Sequence, residues 1–344
     1  MFYKFNIRKL EMAKKIITYL TFITFTSLSF MGCKHKSENT AAIHNIAVIK
    51  FVTHPALDEL ENSFLNYLES AKKTNPKLAG LKIERYNANG SPQRAKELAE
   101  VSSRSDIKLI VAIATPAAQA VSKTPSKIPL LYGAVADPEG AGIIPSYRAT
   151  GIQNAGPNII EKTIMTIHTL FPTVRRIGTI YNPSEQNSAY VQKLIKQFTD
   201  SLNLELIQRT VTDPTQLSSM TEDLTSSADL IYSANDNTVN AGVATVVSVC
   251  NAKKKPFVIG DLSTLSKGPL MAVGLEYRSM GTQLGEMAEQ ILLGKPLSEL
   301  PPQGPPDPQV WVNKDILADF GLQIPSEANS IIDKFFIYKE KVEK

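Results

Sequence analysis

Short β-branched runs alternate with amphipathic segments along most of this chain, and this alternation restricts the fold more than any other feature. Apolar residues recur at spacings of three and four in segments such as "DELENSFLNYLESAKK" (58–73) and "SAYVQKLIKQFTDSL" (188–202), as they do on one face of an α-helix. Strands that alternate with helices in this way form βαβ units around a parallel sheet. The sequence therefore predicts an α/β protein.

Nine strands are predicted, and nearly all are followed by a loop and the start of a helix. They are "NIAVIKFV", "KIERYNA", "IKLIVAIA", "IPLLYGAV", "RIGTIYN", "ELIQRTV", "LIYSAN", "KPFVIG" and "PLMAVGLEY". The series runs twice, and the Gly/Pro/Asn-rich "YRATGIQNAGPN" between the two sets is interpreted as a crossover between lobes. Two similar α/β lobes are expected to enclose a cleft, and ligands of open α/β sheets bind at the carboxyl ends of the strands.

The lobe boundaries follow from this pattern. We expect residues 44–152 and 278–302 to form the first lobe, and residues 153–277 and 303–325 to form the second. The tail at 326–344 is a C-terminal extension and is predicted to be a surface helix.

The first 32 residues have the order of a lipoprotein signal peptide. Five basic residues and one acidic residue there account for the whole net charge of +4, so the remaining chain is formally neutral: Lys4, Arg8, Lys9, Lys14, Lys15 and Glu11. The apolar stretch that follows is shorter than the roughly 20 residues of a spanning helix. "FMGC" resembles a bacterial lipobox with Cys33 as the lipidated residue, and residues 33–43 form a polar tether. The alternative is an ordinary secretory signal with an incidental cysteine.

Several function classes are excluded by what the sequence lacks. A neutral chain without a basic stripe is not expected to bind nucleic acid. The sequence contains no nucleotide-binding glycine motif, no G-x-S-x-G and no H-E-x-x-H. We therefore predict no enzyme activity, no metal and no cofactor. Cys250 lies in an apolar helical pattern and is interpreted as an inert core thiol.

In the first lobe, two strand ends carry candidate ligand contacts. Thr115 is predicted to be the N-cap of a helix that has Pro116 in its first turn, and the N–H groups of such a helix start can hold an anion. Phe51 and His54 follow the first strand, where an aromatic ring could stack on a flat ligand. Simple helix capping, a core Phe and a loop histidine are the alternatives.

In the second lobe, three strand ends carry short polar side chains. The segment from Asn182 to Ser188 is denser in hydrogen-bonding groups than capping requires, and Asp236 and Asp261 follow two later strands. An Asp without a partner beside a cleft suits an ammonium group. A cap or turn role for each Asp remains open.

The blocks "FVTHPALD", "LIVAIATPAAQA", "VADPEGAG", "RIGTIYNPSEQNS", "DNTV", "VIGD" and "GEMAEQILLGKP" stand in this order between about Ile46 and Ile324. In this the chain resembles the substrate-binding lipoproteins of ABC importers, specifically the family with tryptophan- and tyrosine-binding members. Here the loop "GDLSTL" differs from the family's usual "GDTDSV", with Leu262 in place of a polar residue.

The resemblance implies two Rossmann-like lobes of the type I periplasmic-binding-protein kind, joined by hinge crossovers and closing on an amino acid. It also implies a monomer, anchored to the membrane by lipid and facing the periplasm or exterior, that serves an ABC permease and its ATPase. Ligand contacts are predicted at Phe51, His54, Thr115, Pro116, Ala117, Ala118, Ala134, Asn182, Ser184, Glu185, Asn187, Ser188, Asp236, Asn237, Asp261 and Tyr277. A sugar, a nucleoside or another small metabolite is the alternative ligand, and a ligand sensor without transport is the alternative role.

Overall fold

The computed structural model describes residues 45–144, 148–234 and 236–337. The predicted signal peptide, Cys33 and the tether lie outside these residues. Two sheets, each covered by helices, form two lobes, which confirms the predicted α/β class with two parallel-sheet lobes.

The first lobe contains a five-stranded parallel sheet in the order β2-β1-β3-β4-β5. Its strands are β1 (Asn45–Lys50), β2 (Lys82–Asn87), β3 (Ile107–Ile113), β4 (Leu130–Val135) and β5 (Ala149–Gln153). Both faces of the central strands are buried, because a βαβ crossover places helices on each side of a parallel sheet. The helices of this lobe are α1 (Pro55–Thr74), α2 (Pro92–Val101) and α3 (Thr115–Lys123).

The second lobe contains a seven-stranded sheet in the order β12-β11-β10-β9-β8-β6-β7. Its strands are β6 (Arg176–Tyr181), β7 (Glu205–Thr210), β8 (Leu230–Ser233), β9 (Phe257–Asp261), β10 (Met271–Leu275), β11 (Gln309–Asn313) and β12 (Lys334–Phe336). All neighbouring pairs are parallel except β10 and β11. Its helices are α4 (Pro157–Leu170), α5 (Gln186–Ser201), α6 (Leu217–Ser227), α7 (Asn237–Ala241) and α8 (Val243–Ala252).

The chain passes between the lobes more than once. It leaves the first sheet after β5 and enters α4, and it leaves the second sheet after β10 to form α9 (Tyr277–Leu292). Helix α9 packs against α1 of the first lobe, so the chain has returned there. After the bridge between Gln303 and Ile152, it re-enters the second sheet at β11, which the short α10 (Lys314–Asp319) follows.

Each of the nine predicted strands overlaps an observed strand, but three observed strands were not predicted. Strand β5 lies in the segment interpreted only as a crossover, and β11 follows a proline-dense stretch. The predicted C-terminal surface helix is wrong: Ser326–Ile331 forms a 3₁₀ turn and β12 pairs with β11. Lys334 stacks on the Trp311 ring at 4.2 Å, and this pairing with a distant strand decides the local conformation.

Two further observations concern the described residues. None of their helices has both the length and the apolar composition needed to cross a membrane. Cys250 on α8 is fully buried as a free thiol, and burial raises its pKa to about 12, which fits the predicted unreactive core position.

Candidate functional site

A cavity of about 870 Å³ lies between the two lobes, at the carboxyl ends of their strands. From the first lobe it is lined by Phe51 after β1 and by Pro116 in the first turn of α3. From the second lobe it is lined by the loop from Asn182 to Glu185 and by Asn237. Its volume falls in the range of small-molecule sites.

Six of the predicted ligand residues line this cavity: Phe51, Pro116, Asn182, Ser184, Glu185 and Asn237. The other ten are buried side chains outside its lining: His54, Thr115, Ala117, Ala118, Ala134, Asn187, Ser188, Asp236, Asp261 and Tyr277. Ligand contact by these ten residues stays a prediction.

The lining also includes residues that the sequence reasoning missed. Gln119, Ala120 and Lys123 follow Pro116 along α3 at the spacing of one helical face. That spacing was the available signal, because positions i, i+3, i+4 and i+7 share a face. Thr238 was missed beside Asn237.

The start of α3 is built differently from the prediction. Ala114, not Thr115, is the N-cap, and it has no side chain to cap the helix. The Thr115 Oγ1 atom instead accepts from the Ala136 N–H at 3.4 Å, which turns the hydroxyl towards the end of β4. The predicted Thr115 cap is therefore wrong, and the first N–H groups of α3 have no side-chain acceptor at the N-cap.

Two alanines at these strand ends have backbone conformations that L-residues rarely adopt. Ala114 has a φ of 79° and a ψ of 153°, and Ala134 has a φ of 57°. They are joined through the hydrogen bond from the Ala114 N–H to the Gly133 carbonyl, at 2.9 Å. Strained backbone of this kind costs on the order of 1–3 kcal/mol and clusters at functional sites.

Glu185 is the acidic residue at the wall of the cavity. It precedes α5, and only 5% of it is exposed. Its carboxylate accepts from the Asn187 and Asn237 side-chain amides, and from the Thr238 N–H and hydroxyl at 3.2 and 2.9 Å. No cation pairs with Glu185 within the described part of the chain. A buried carboxylate with neutral donors and no counterion leaves a negative potential at the cavity.

Asp236 lies close to Glu185 and accepts hydrogen bonds from three surrounding donors. It accepts from the Asn182 N–H at 2.6 Å, the Ser188 hydroxyl at 2.7 Å and the Val239 N–H at 2.8 Å. Burial and the charge of Glu185 raise its pKa above the ordinary value of 3.8. Asp236 therefore caps α7 and anchors the Asn182 loop, while Glu185 is the carboxylate that lines the cavity. Contact of Asp236 with a ligand stays a prediction.

Asp261 and Tyr277 have structural partners as well. Asp261 accepts from the Ser263 N–H and hydroxyl, at 2.9 and 2.8 Å, and so caps the turn after β9. The Tyr277 hydroxyl accepts from the Asn154 side-chain amide at 3.0 Å. That bond joins two of the segments at which the chain passes between the lobes.

Side chains from the two lobes also meet directly. The His54 Nε2 atom lies 3.3 Å from the Asn237 Oδ1 atom, and the Gln186 amide donates to the Asp137 carboxylate at 3.1 Å. Burial lowers the pKa of His54 to about 4, against weaker opposing effects of Asn237 and Asp58, so the ring is neutral at physiological pH. No group of three or more His, Cys, Asp or Glu side chains in the described ranges is arranged to hold a metal ion.

Comparison with known proteins places this geometry in context. Residues 45–333 match the family model for ABC transporter substrate binding proteins. The chain is 29% identical over 301 residues to a tyrosine-binding protein of Clostridioides difficile (strain R20291), which covers 86% of each chain.

Two solved structures are similar at nearly the same sequence identity. One is an ABC domain from Streptococcus pneumonia in complex with L-Trp, with 26% identity, coverage of 85% of this chain and 99% of that chain, and a TM-score of 0.79. The other is a ligand-free, open substrate-binding protein with adhesive properties from Clostridium difficile, with 27% identity, coverage of 86% and 99%, and a TM-score of 0.63. The TM-score is thus higher with the tryptophan complex than with the open form.

The family model spans most of the chain, and the fold and the interlobe cavity agree with it. This chain belongs to the ABC transporter substrate-binding protein family.

Proposed function

We propose that the chain captures an aromatic amino acid in its interlobe cavity and delivers it to an ABC permease and its ATPase. The observation that carries the proposal is Glu185, a buried carboxylate at the cavity wall with neutral donors and no cation among the described residues. A ligand ammonium group would supply the missing charge. Charge-assisted hydrogen bonds of this kind are about twice as strong as neutral ones.

The opposite wall suits the other end of an amino acid. Helix α3 starts at the cavity with Pro116 in its lining and without a side-chain cap. The partial positive charge and the outward N–H groups of a helix start favour a carboxylate. Glu185 on one lobe and α3 on the other would then each bind one end of the ligand, and this would favour closure of the lobes.

Two observations support an aromatic side chain. The apolar residues Phe51 and Pro116 both line the cavity, and aromatic ligands pack well on apolar surfaces. In addition, the relatives include a tyrosine-binding protein and a tryptophan complex, at 29% and 26% identity.

A ligand screen tests this proposal. Thermal shift of the chain from Lys34 onward would be measured with the twenty amino acids, common sugars and nucleosides, followed by calorimetry on each hit. A ligand at 100 times its Kd adds about 2.7 kcal/mol of stability. We expect shifts with aromatic amino acids only; a shift with a sugar or a nucleoside instead would overturn the ligand class.

The Glu185→Gln variant tests the ammonium contact. Removal of the charge, with the shape kept, is expected to weaken amino-acid binding at least tenfold, because the ammonium then faces a neutral amide. Glu97→Gln is the matched control, since Glu97 is exposed on α2, outside the cavity lining. Equal affinities of the two variants would remove Glu185 from the site.

We also propose that Cys33 carries a lipid anchor, with residues 33–43 as the tether. This rests on the "FMGC" segment after a basic and apolar leader. Because acyl chains supply the membrane affinity, Cys33→Ser is expected to move the protein from the membrane fraction to the soluble fraction. Cys250→Ser is the control, and a Cys33→Ser protein that stays with membranes would contradict the anchor.

A further inference from the structure

One direct contact between the lobes lies outside the lining of the ligand cavity. The side-chain amide of Gln186, the first residue of α5, donates to the Asp137 carboxylate at 3.1 Å. Asp137 belongs to the loop after β4 of the first lobe, whereas α5 belongs to the second lobe. Neither residue lines the cavity, so this contact joins the lobes beside the ligand site rather than within it.

The Asp137 carboxylate is held in place by its own loop. Its Oδ1 atom accepts from the Gly140 N–H at 2.9 Å, and its Oδ2 atom accepts from Gln186. A Cβ atom at Gly140 would collide with this carboxylate, so the turn depends on a glycine at that position. The first lobe therefore presents a fixed acceptor to the second lobe.

Both sides of the contact are connected to the wall of the cavity. In the first lobe, Gln119 on α3 lines the cavity, and its side-chain amide donates to the Ala141 carbonyl in the Asp137 loop at 3.1 Å. In the second lobe, Gln186 directly follows Glu185, the carboxylate at the cavity wall. A ligand that draws Glu185 and α3 together therefore also brings Gln186 to Asp137.

The contact has a favourable part and an unfavourable part. The hydrogen bond to a carboxylate is charge-assisted and so stronger than a neutral one. Because a carboxylate only accepts, the Gln186 Nε2 group faces it, and the Oε1 atom is left buried and without a hydrogen bond within the described ranges. A buried acceptor without a partner costs free energy, and water would pair with it once the lobes separate. We therefore expect a net contribution to closure that still allows the lobes to open.

We propose that Asp137 and Gln186 are positioning residues, which set the ligand affinity of the site by stabilising its closed form. The inference rests on the proposed function only in that a ligand closes the lobes, and it holds for any ligand class. A contact that forms only on closure shifts the equilibrium between the open and closed forms, and the apparent affinity changes by the same factor. Because neither residue lines the cavity, this factor is expected to be the same for every ligand.

The Gln186→Glu variant tests the contact at nearly the same side-chain shape. In the closed form it places a second carboxylate against Asp137, and the two like charges repel each other. We expect calorimetry to show that L-Trp and L-Tyr both bind about tenfold more weakly, with the ratio of their affinities unchanged. A new negative charge beside Glu185 would by itself attract the ligand ammonium, so that effect has the opposite sign. Unchanged or tighter binding, or a loss for only one ligand, would overturn the proposal.

A second substitution in the first lobe is expected to restore the contact. When Asp137→Asn is combined with Gln186→Glu, donor and acceptor exchange places: the new amide nitrogen takes the position of Oδ2 and donates to the new carboxylate, while the oxygen still accepts from Gly140. We expect this double variant to bind both ligands within about threefold of the wild type.

The matched control for the restored contact combines Glu139→Gln with Gln186→Glu. It removes a negative charge from the same loop, but from a residue that is exposed. This control is expected to bind as weakly as Gln186→Glu alone. Equal affinities of the two double variants would overturn the proposal.

The Gln186→Ala variant covers the case in which Gln186→Glu does not fold. It removes the contact without adding a charge and leaves the hydrogen bond between Asp137 and Gly140 in place. We expect binding of both ligands to weaken about threefold, since a net hydrogen bond of this size is lost only from the closed form. An affinity equal to that of the wild type would overturn the proposal.

The outcomes separate this inference from the proposed function. If the wild type binds L-Trp or L-Tyr but the variants do not behave as expected, the function stands and the inference fails. If the wild type binds neither, the proposed ligand class fails, and the same variants are measured with the ligand that the screen identifies. If the screen identifies no ligand, both fail.

Discussion

Asp236 has three hydrogen-bond donors directed at one buried carboxylate, from the Asn182 loop, α5 and α7. In Asp236→Ala these donors lose their acceptor, and α7 loses its cap. We expect the free energy of unfolding to fall by about 2–4 kcal/mol, since an unsatisfied buried group costs about 1–3 kcal/mol and a lost helix cap about 0.5–2 kcal/mol. The measurement is denaturant unfolding of the ligand-free protein.

The control for this prediction is Asp200→Ala, which removes an exposed carboxylate paired with Lys196 on α5. It is expected to change stability by less than about 0.5 kcal/mol. Should Asp236→Ala unfold like the wild type but bind ligand weakly, Asp236 would be a ligand contact and its cap role would be minor.

For Asp236 and Thr115 the sequence predicts the position of the residue but not the role of its side chain. Both follow buried strands, and a polar residue there can cap a helix or contact a ligand. The sequence placed them correctly at strand ends. The difference between the two roles depends on which way a side chain turns, and that is decided by neighbours from other elements, such as Ser188 for Asp236 and Ala136 for Thr115.

Helices α1 and α9 belong to the same lobe although 203 positions separate Thr74 from Tyr277 (277 − 74), and their contact depends on a glycine. A Cβ atom at Gly281 would collide with the backbone oxygen of Leu60 and would lie 2.8 Å from the Ser63 Cβ atom. Because backbone cannot move aside like a flexible side chain, Gly281→Ala is expected to destabilise the protein by about 1–3 kcal/mol despite the better helix propensity of Ala.

Thr282→Ala on the exposed side of α9 is the matched control, and it is expected to be close to neutral. Thermal unfolding of both variants makes the comparison. A Gly281→Ala protein as stable as Thr282→Ala would mean that α1 and α9 can separate without loss.

Helices and strands with a regular hydrophobic pattern could be predicted from the sequence, whereas the short strands without such a pattern could not. From Leu109 onward the sequence of β3 is a continuous run of β-branched and apolar residues, which predicts a buried strand. The sequences of β5, "ATGIQ", and of β12, "KFF", contain no such pattern. Strand β12 exists because it pairs with β11, where the Asp333 carboxylate accepts from the Val310 N–H at 2.7 Å. Such pairing depends on residues far apart in sequence, so it cannot be predicted from local periodicity.

At the scale of the whole molecule the two lobes meet at His54, whose side chain is buried and contacts Asn237 of the second lobe. Opening of the cleft would separate His54 from Asn237 and admit water, which returns its pKa towards 6.5. The closed form therefore binds fewer protons than the open form between pH 6.5 and 4. Asp236, whose pKa burial raises, has all its partners within the second lobe, so its protonation is expected to differ little between the two forms.

Ligand affinity should accordingly weaken as the pH falls. His54 is neutral in the closed form down to a pKa of about 4, but in the open form it protonates below its ordinary pKa of 6.5. Acidification thus favours the open form, and the Kd for L-Trp at pH 5.5 is expected to be about tenfold higher than at pH 7.5. Neither charged group of the amino acid titrates in this range. The affinity is measured by calorimetry at both pH values. The variant His54→Phe is expected to lose the pH dependence, and the control His168→Phe is expected to keep it. If the wild-type affinity does not change over this range, closure does not shield His54 from water.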